Sequence, residues 1–142
     1  MKAFLLFLLL TCFPLLMEAQ EKPLLEVEIL QAKSNSGMIR VLVFQQADGF
    51  PDDLNKAIRS ISIPSTLPTS KLLIEDLDAG TYAISIIHDE NLNGKLDTNP
   101  VGYPTERFGF SNNPKIYFGP PSFEKAAFKL DKGSKTVQIR LK

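Results

Sequence analysis

Beyond residue 20 the chain alternates apolar and polar positions along most of its length. Leu25, Val27 and Ile29 are separated by Glu26 and Glu28, and the same period governs Thr81-Tyr82-Ala83-Ile84-Ser85-Ile86-Ile87. Period two marks a strand that buries one face. Met38-Ile39-Arg40-Val41-Leu42-Val43-Phe44 is a β-branched run opened by Gly37, which predicts a central strand. Ile58, Ile61 and Ile63 predict a short element ended by Pro64 and Pro68, and Leu72-Leu73-Ile74 precedes a turn at 76–80. Segments 123–130 and 136–141 read as two closing strands joined by the turn Asp131-Lys132-Gly133-Ser134. The one helical candidate is 52–60, with start signals at Pro51 and Asp52. About seven strands with a turn every ten or so residues predict an all-β fold, an antiparallel β-sandwich.

Segment 89–121 breaks the rhythm. It holds five of the ten prolines and four of the eight glycines, and it is long for a connection inside a compact domain. It also carries Tyr103, Phe108, Phe110, Tyr117 and Phe118, too many aromatic residues for a disordered tail. The expectation is an ordered loop packed onto the sandwich.

Residues 1–19 read as an address. Lys2 precedes an apolar run from Ala3 to Met17, broken by Thr11 and Pro14, and Ala19 is the small residue expected at a cleavage point. That run falls short of the ~20 residues that span a bilayer. The predicted organisation is a signal peptide at 1–19 and one domain at 20–142, exported to the periplasm or beyond. Cys12 offers a competing lipoprotein box, but Thr11 is a poor residue before it, which favours a Cys serving as a small hydrophobe of the signal core. The mature domain then has no cysteine and rests on its core alone.

Composition narrows the function classes. Sixteen basic and sixteen acidic side chains give zero formal charge, and no long basic run is present. This argues against nucleic-acid and anionic-membrane partners. One Cys and one His exclude a Cys/His zinc site from a single chain.

The sharpest motif is Asp89-Glu90-Asn91-Leu92-Asn93-Gly94-Lys95-Leu96-Asp97. Side-chain oxygens fall at positions 1, 3, 5 and 9, with Gly at 6 and the Lys95 carbonyl at 7. This is the opening of a Ca²⁺ loop of the EF-hand type, in which alternate residues of a tight turn point hard oxygens inward. The candidate metal ligands are Asp89, Asn91, Asn93, Lys95, Asp97 and the more distant Glu106, with Glu90 as an alternative. Position 12 is Pro100 instead of Glu, and the motif follows a strand, so any site would be weak. The competing reading is a metal-free turn, type I′ at Asn93-Gly94, whose Asp and Asn side chains cap backbone groups. His88 is open to two readings as well: metal ligand or general base, or a ring satisfied locally at a strand end.

The runs 78–84, His88 to Asp97 and Gly102-Tyr103-Pro104-Thr105-Glu106-Arg107-Phe108-Gly109-Phe110-Ser111-Asn112 resemble the bacterial family of exported proteins catalogued as DUF2141. The resemblance continues through 119–123 and the two final strands. It implies a fold and no established activity. The turn Leu77 to Gly80 followed by Tyr82 also resembles the Gly-x-Tyr strand of transthyretin-like (prealbumin-like) sandwiches.

No Gly-x-Ser-x-Gly elbow is present, and His88 is the only imidazole, so the chain reads as a non-enzyme. A hydrolase using carboxylates near His88, such as Asp89 with Glu106, is the remaining catalytic alternative. The leading expectation is an exported binding or accessory module for a protein or glycan partner at the cell envelope. Tyr103, Phe108 and Phe110 are its candidate ligand-binding residues, beside a loop stabilised by Ca²⁺. The other expectation is a structural accessory domain with no metal.

Overall fold

The structure, a computed structural model, describes residues 21–142. The proposed signal peptide with Cys12 lies outside the described residues. Eight strands form, in order β1 (Leu24–Leu30), β2 (Met38–Phe44), β3 (Arg59–Pro64), β4 (Thr69–Ile74), β5 (Gly80–Asp89), β6 (Phe108–Phe110), β7 (Phe128–Leu130) and β8 (Ser134–Arg140), with one helical turn, α1 (Phe123–Ala126), before β7. They build two sheets, β4-β1-β8 and β3-β2-β5-β6, with β7 also pairing β5. No helix among the described residues is long and apolar enough to cross a membrane.

The sandwich follows from the period-two pattern. Leu25, Val27 and Ile29 of β1 face Ile39, Val41 and Val43 of β2 and Ile84 and Ile86 of β5 across the core, with Val137 and Ile139 of β8 beside them. Tyr82, buried at the start of β5, donates its hydroxyl to the Asp78 carbonyl at 2.7 Å and so closes the preceding turn. Burial therefore brings its own hydrogen bond, as a buried tyrosine requires.

β5 is buried on both faces, and the reason lies outside the sandwich core. Ala83, Phe110 and Ala126 form a second cluster, against which Phe50, Phe108, Ile116 and Phe123 pack. Phe50 contacts Phe44, Phe110 and Phe123 at centroid distances of 5.4, 6.0 and 6.0 Å. This layer is supplied by the β2–β3 connection and by the segment after β6, and it covers the outer face of β5.

The all-β sandwich of about seven strands that the sequence predicts is present, with β6, only three residues long and inside the 89–121 segment, as an eighth strand. Three finer expectations are corrected. Segment 123–130 is not one strand. Phe123 and Ala126, three apart, turn one helical face into the second cluster before β7 begins. Segment 52–60 is not a helix: turns, with Asp53 N–H bonding to Gly49 and Ala57 N–H to Asp53, lead directly into β3 at Arg59. Of its two large apolar side chains, Leu54 points to solvent while Ile58 packs against the sandwich core, so no shared apolar stripe drives a helix there. One pairing is parallel: β1 with β8, from Leu24 against Ser134 to Leu30 against Arg140.

The seam between β6 and β8 depends on Gly109. A Cβ there would lie 2.9 Å from Ile139 Cγ2, 3.0 Å from Leu141 Cδ2 and 3.1 Å from the Arg140 carbonyl oxygen. Asn113 completes the seam, its amide spanning Arg140 N–H and the Gln138 carbonyl at 2.7 and 2.9 Å, while the Ser111 hydroxyl ties the end of β6 to β5 by accepting from Ile84 N–H at 2.9 Å. Gly109→Ala is expected to lower unfolding free energy by roughly 1–3 kcal/mol, the usual cost of overpacking. Urea denaturation measures it, and an unchanged midpoint would contradict the close approach of β6 to β8.

Candidate functional site

Strand β5 delivers its last two residues to opposite sides. His88 points inward and Asp89 outward, and neither is exposed to solvent. His88 is locked by the β1–β2 connection: its Nδ1 accepts from Lys33 N–H at 3.2 Å, and its Nε2 bonds the Ser36 carbonyl at 2.7 Å. Both ring nitrogens are therefore committed to backbone groups, with the ring proton on Nε2.

Asp89 begins the 89–106 loop and anchors it. One oxygen accepts from Arg40 Nε of β2 and from Gly94 N–H at 2.9 Å; the other accepts from Asn93 N–H at 3.1 Å. Burial alone would raise its pKa, but the Arg40 guanidinium and the Gly94 and Asn93 donors outweigh that and hold the carboxyl below the ordinary aspartate value. Glu90 is held low by the Lys33 ammonium at 2.9 Å, against partial burial, with the Ser34 hydroxyl helping at 3.0 Å. Gly37, at φ +73°, makes room for this junction, since a Cβ there would sit 2.2 Å from the Asp89 carbonyl oxygen.

Within the loop the Asn and Asp side chains converge. The Asn91 and Asn93 amide nitrogens donate to the two oxygens of Asp97 at 2.5 and 2.7 Å. Their amide oxygens accept from Asn93 N–H and Lys95 N–H at 3.1 and 2.9 Å. Glu106, also buried, staples the loop: its two oxygens accept from Glu90 N–H at 3.0 Å and Asp97 N–H at 3.1 Å. The type I′ turn at Asn93-Gly94 does not form. Positive φ falls on Leu92 and Gly94, not on Asn93, because the backbone bends to aim its N–H groups at Asp89. The capping role expected of the Asp and Asn side chains is present in full.

The six proposed metal ligands are thus divided. Asn91, Asn93 and Asp97 meet, Asp89 lies behind them, and Glu106 spends its oxygens on backbone donors. A Ca²⁺ ion needs six to eight oxygens. The loop offers Asp97, which unlike Asp89 and Glu90 has no cationic partner among the described residues and unlike Glu106 is not held by backbone N–H groups, together with the two Asn amide oxygens once released and the Lys95 carbonyl. This donor set fits a weak extracellular-type site in part. Among the described residues no group of three or more His, Cys, Asp or Glu side chains is arranged to hold a metal.

Asn99 organises the rest of the segment. Its side-chain oxygen accepts from Val101 N–H and Tyr103 N–H at 3.1 and 2.9 Å, and a bridge pairs Thr98 with Pro104. Tyr103 therefore stands on a rigid tip, exposed to solvent. Of the candidate ligand-binding residues, Phe108 and Phe110 lie elsewhere, edge-to-face with ring centroids 5.9 Å apart at the second cluster. Sequence reasoning missed Arg40, Ser34, Asn99 and the staple role of Glu106. The usable signal for Arg40 was a lone charge inside a β-branched run.

Removing Arg40 leaves Asp89 buried without a counter-charge. Arg40→Ala is expected to cost roughly 2–3 kcal/mol, less than a fully buried pair because the arginine side chain keeps 31% exposure. Because the native pKa of Asp89 is lowered, its contribution is complete above about pH 5 and is lost as pH falls past 3.8 toward the native value. Wild type should therefore lose more stability between neutral and acid pH than Asp89→Asn does. Parallel acid titrations of the two proteins would contradict the assignment.

The residues that build this loop lie inside a single family match. The model of the family described as an uncharacterized protein conserved in bacteria covers residues 27–138, from within β1 to within β8. No curated protein and no solved structure matches the chain. A match over most of its length places the chain in this family of bacterial proteins, DUF2141.

Proposed function

We propose that this chain is an exported, non-enzymatic β-sandwich module that binds a protein or glycan partner at the bacterial envelope. The observation that carries the proposal is the distribution of exposed apolar side chains. Among the described residues, five of the eight large exposed hydrophobics, Leu92, Val101, Tyr103, Tyr117 and Phe118, fall between 92 and 118. Single exposed apolar residues are ordinary, but their concentration on one ordered segment favours a contact surface. Phe118 is 99% exposed and is followed by Gly119, Pro120 and Pro121, while Tyr103 is fixed by Asn99. Rigid aromatic tips suit stacking on sugar rings or insertion into a partner pocket, because little side-chain entropy is lost. His88 supports the non-enzymatic reading: its ring has no free nitrogen and no solvent path.

In the same reading Ca²⁺ is a weak ligand of the loop, held by Asp97, Asn91, Asn93 and the Lys95 carbonyl, with Asp89 behind. A second reading, a metal-free accessory domain, is favoured by one specific observation: Arg40 and the backbone already satisfy Asp89 and Glu106.

Two measurements test these readings. Retention on purified cell-wall sacculi and on immobilised envelope proteins should fall in Tyr103→Ser and Phe118→Ser, with stability changed by less than about 0.5 kcal/mol. Retention unchanged in both variants would remove the segment as the contact surface. For a site of Kd about 1 mM, Ca²⁺ at about 10 mM should stabilise the fold by about 1.4 kcal/mol, and Asp97→Ala should abolish the gain. No thermal shift between Ca²⁺ and chelator would leave the metal-free domain.

A further inference from the structure

Asn93-Gly94 is the only Asn-Gly pair in the chain. Such a pair is chemically labile, because glycine has no side chain to hinder attack by its own backbone nitrogen. Attack of the Gly94 nitrogen on Asn93 Cγ forms a new N–C bond and expels the side-chain amide nitrogen as ammonia, which carries away the Gly94 proton. Water then opens the resulting succinimide to aspartate or isoaspartate.

We propose that Asn93 is a latent deamidation site that the folded loop holds shut, so that opening of the loop exposes it to covalent conversion. Both reacting groups are engaged. Gly94 N–H donates to Asp89 Oδ2 at 2.9 Å, which occupies the nucleophile. The Asn93 amide is held from two sides, donating to Asp97 Oδ1 at 2.7 Å and accepting from Lys95 N–H at 2.9 Å. Turning that amide onto the Gly94 nitrogen breaks both bonds. Asp89 could instead act as a base toward Gly94, but its carboxylate is shared with the Arg40 guanidinium, which makes it a poor proton acceptor. It therefore holds the proton in place.

The Asn93 side chain is at the surface, so water and base have access, and the protection comes from the bonds alone. Conversion is self-reinforcing. An aspartate at this position sets a second carboxylate against Asp97 where a hydrogen bond stood, and the loop that opened does not close again in the same form.

Peptide mapping with isoaspartate detection, after incubation in mildly alkaline buffer, tests the proposal on the folded chain and on the chain unfolded in urea. Conversion at Asn93 should be at least about tenfold slower in the folded chain, as expected when reaction needs local opening. The Asp97→Ala protein, shown folded by its circular dichroism, should convert several-fold faster than wild type. Equal rates in folded and unfolded wild type would overturn the proposal. So would a folded Asp97→Ala protein that converts no faster than wild type.

Discussion

A carboxylate at the end of a strand and sealed from water must find all its hydrogen bonds inside the protein. Asp89 meets that demand with one guanidinium from β2 and two backbone N–H groups from its own loop. The rest of the site is arranged around it. Gly37 must lack a side chain so that the β1–β2 connection can reach this junction, and the same connection fixes His88 and Glu90. The low pKa of Asp89 is the electrostatic expression of the same packing.

Glu106 applies the same solution at the other end of the loop. Two buried carboxylates, one at each neck, gather backbone donors that would otherwise need water. The segment between them thus stays ordered without a hydrophobic core of its own. Its apolar side chains are free to face outward, as Leu92, Val101 and Tyr103 do. Order comes from polar atoms inside, and display from apolar ones outside, which reverses the division of labour in the sandwich.

The fold was largely legible because β1, β2 and β8 alternate, and their core-facing positions are those that period two selects. The acidic loop was legible as a set of oxygens, and Asn91, Asn93 and Asp97 do come together. What they bond to was not, since Arg40 lies far upstream and side-chain partners across a sheet leave no local pattern. Phe108 and Phe110 read from sequence either as displayed or as core, and a second layer on the outer face of β5 buries Phe110 and takes in Phe108 in part. Pattern along one strand reports that a face is buried; it does not say whether a second layer covers the other.

The parallel pairing of β1 with β8 carries a consequence for the order of folding. β1 is the centre of its sheet, with β4 on one side and β8 on the other, and β8 is the last strand formed along the chain. Half of the hydrogen-bonding capacity of β1 waits on residues at the far end of the sequence, a high-contact-order closure that is slow by nature. A partly emerged chain lacks Ile139 and Leu141 from its core and the backbone that Gly109 packs against. The sandwich is thus a structure that completes late, with β8 as the strand that closes both its sheet and its core.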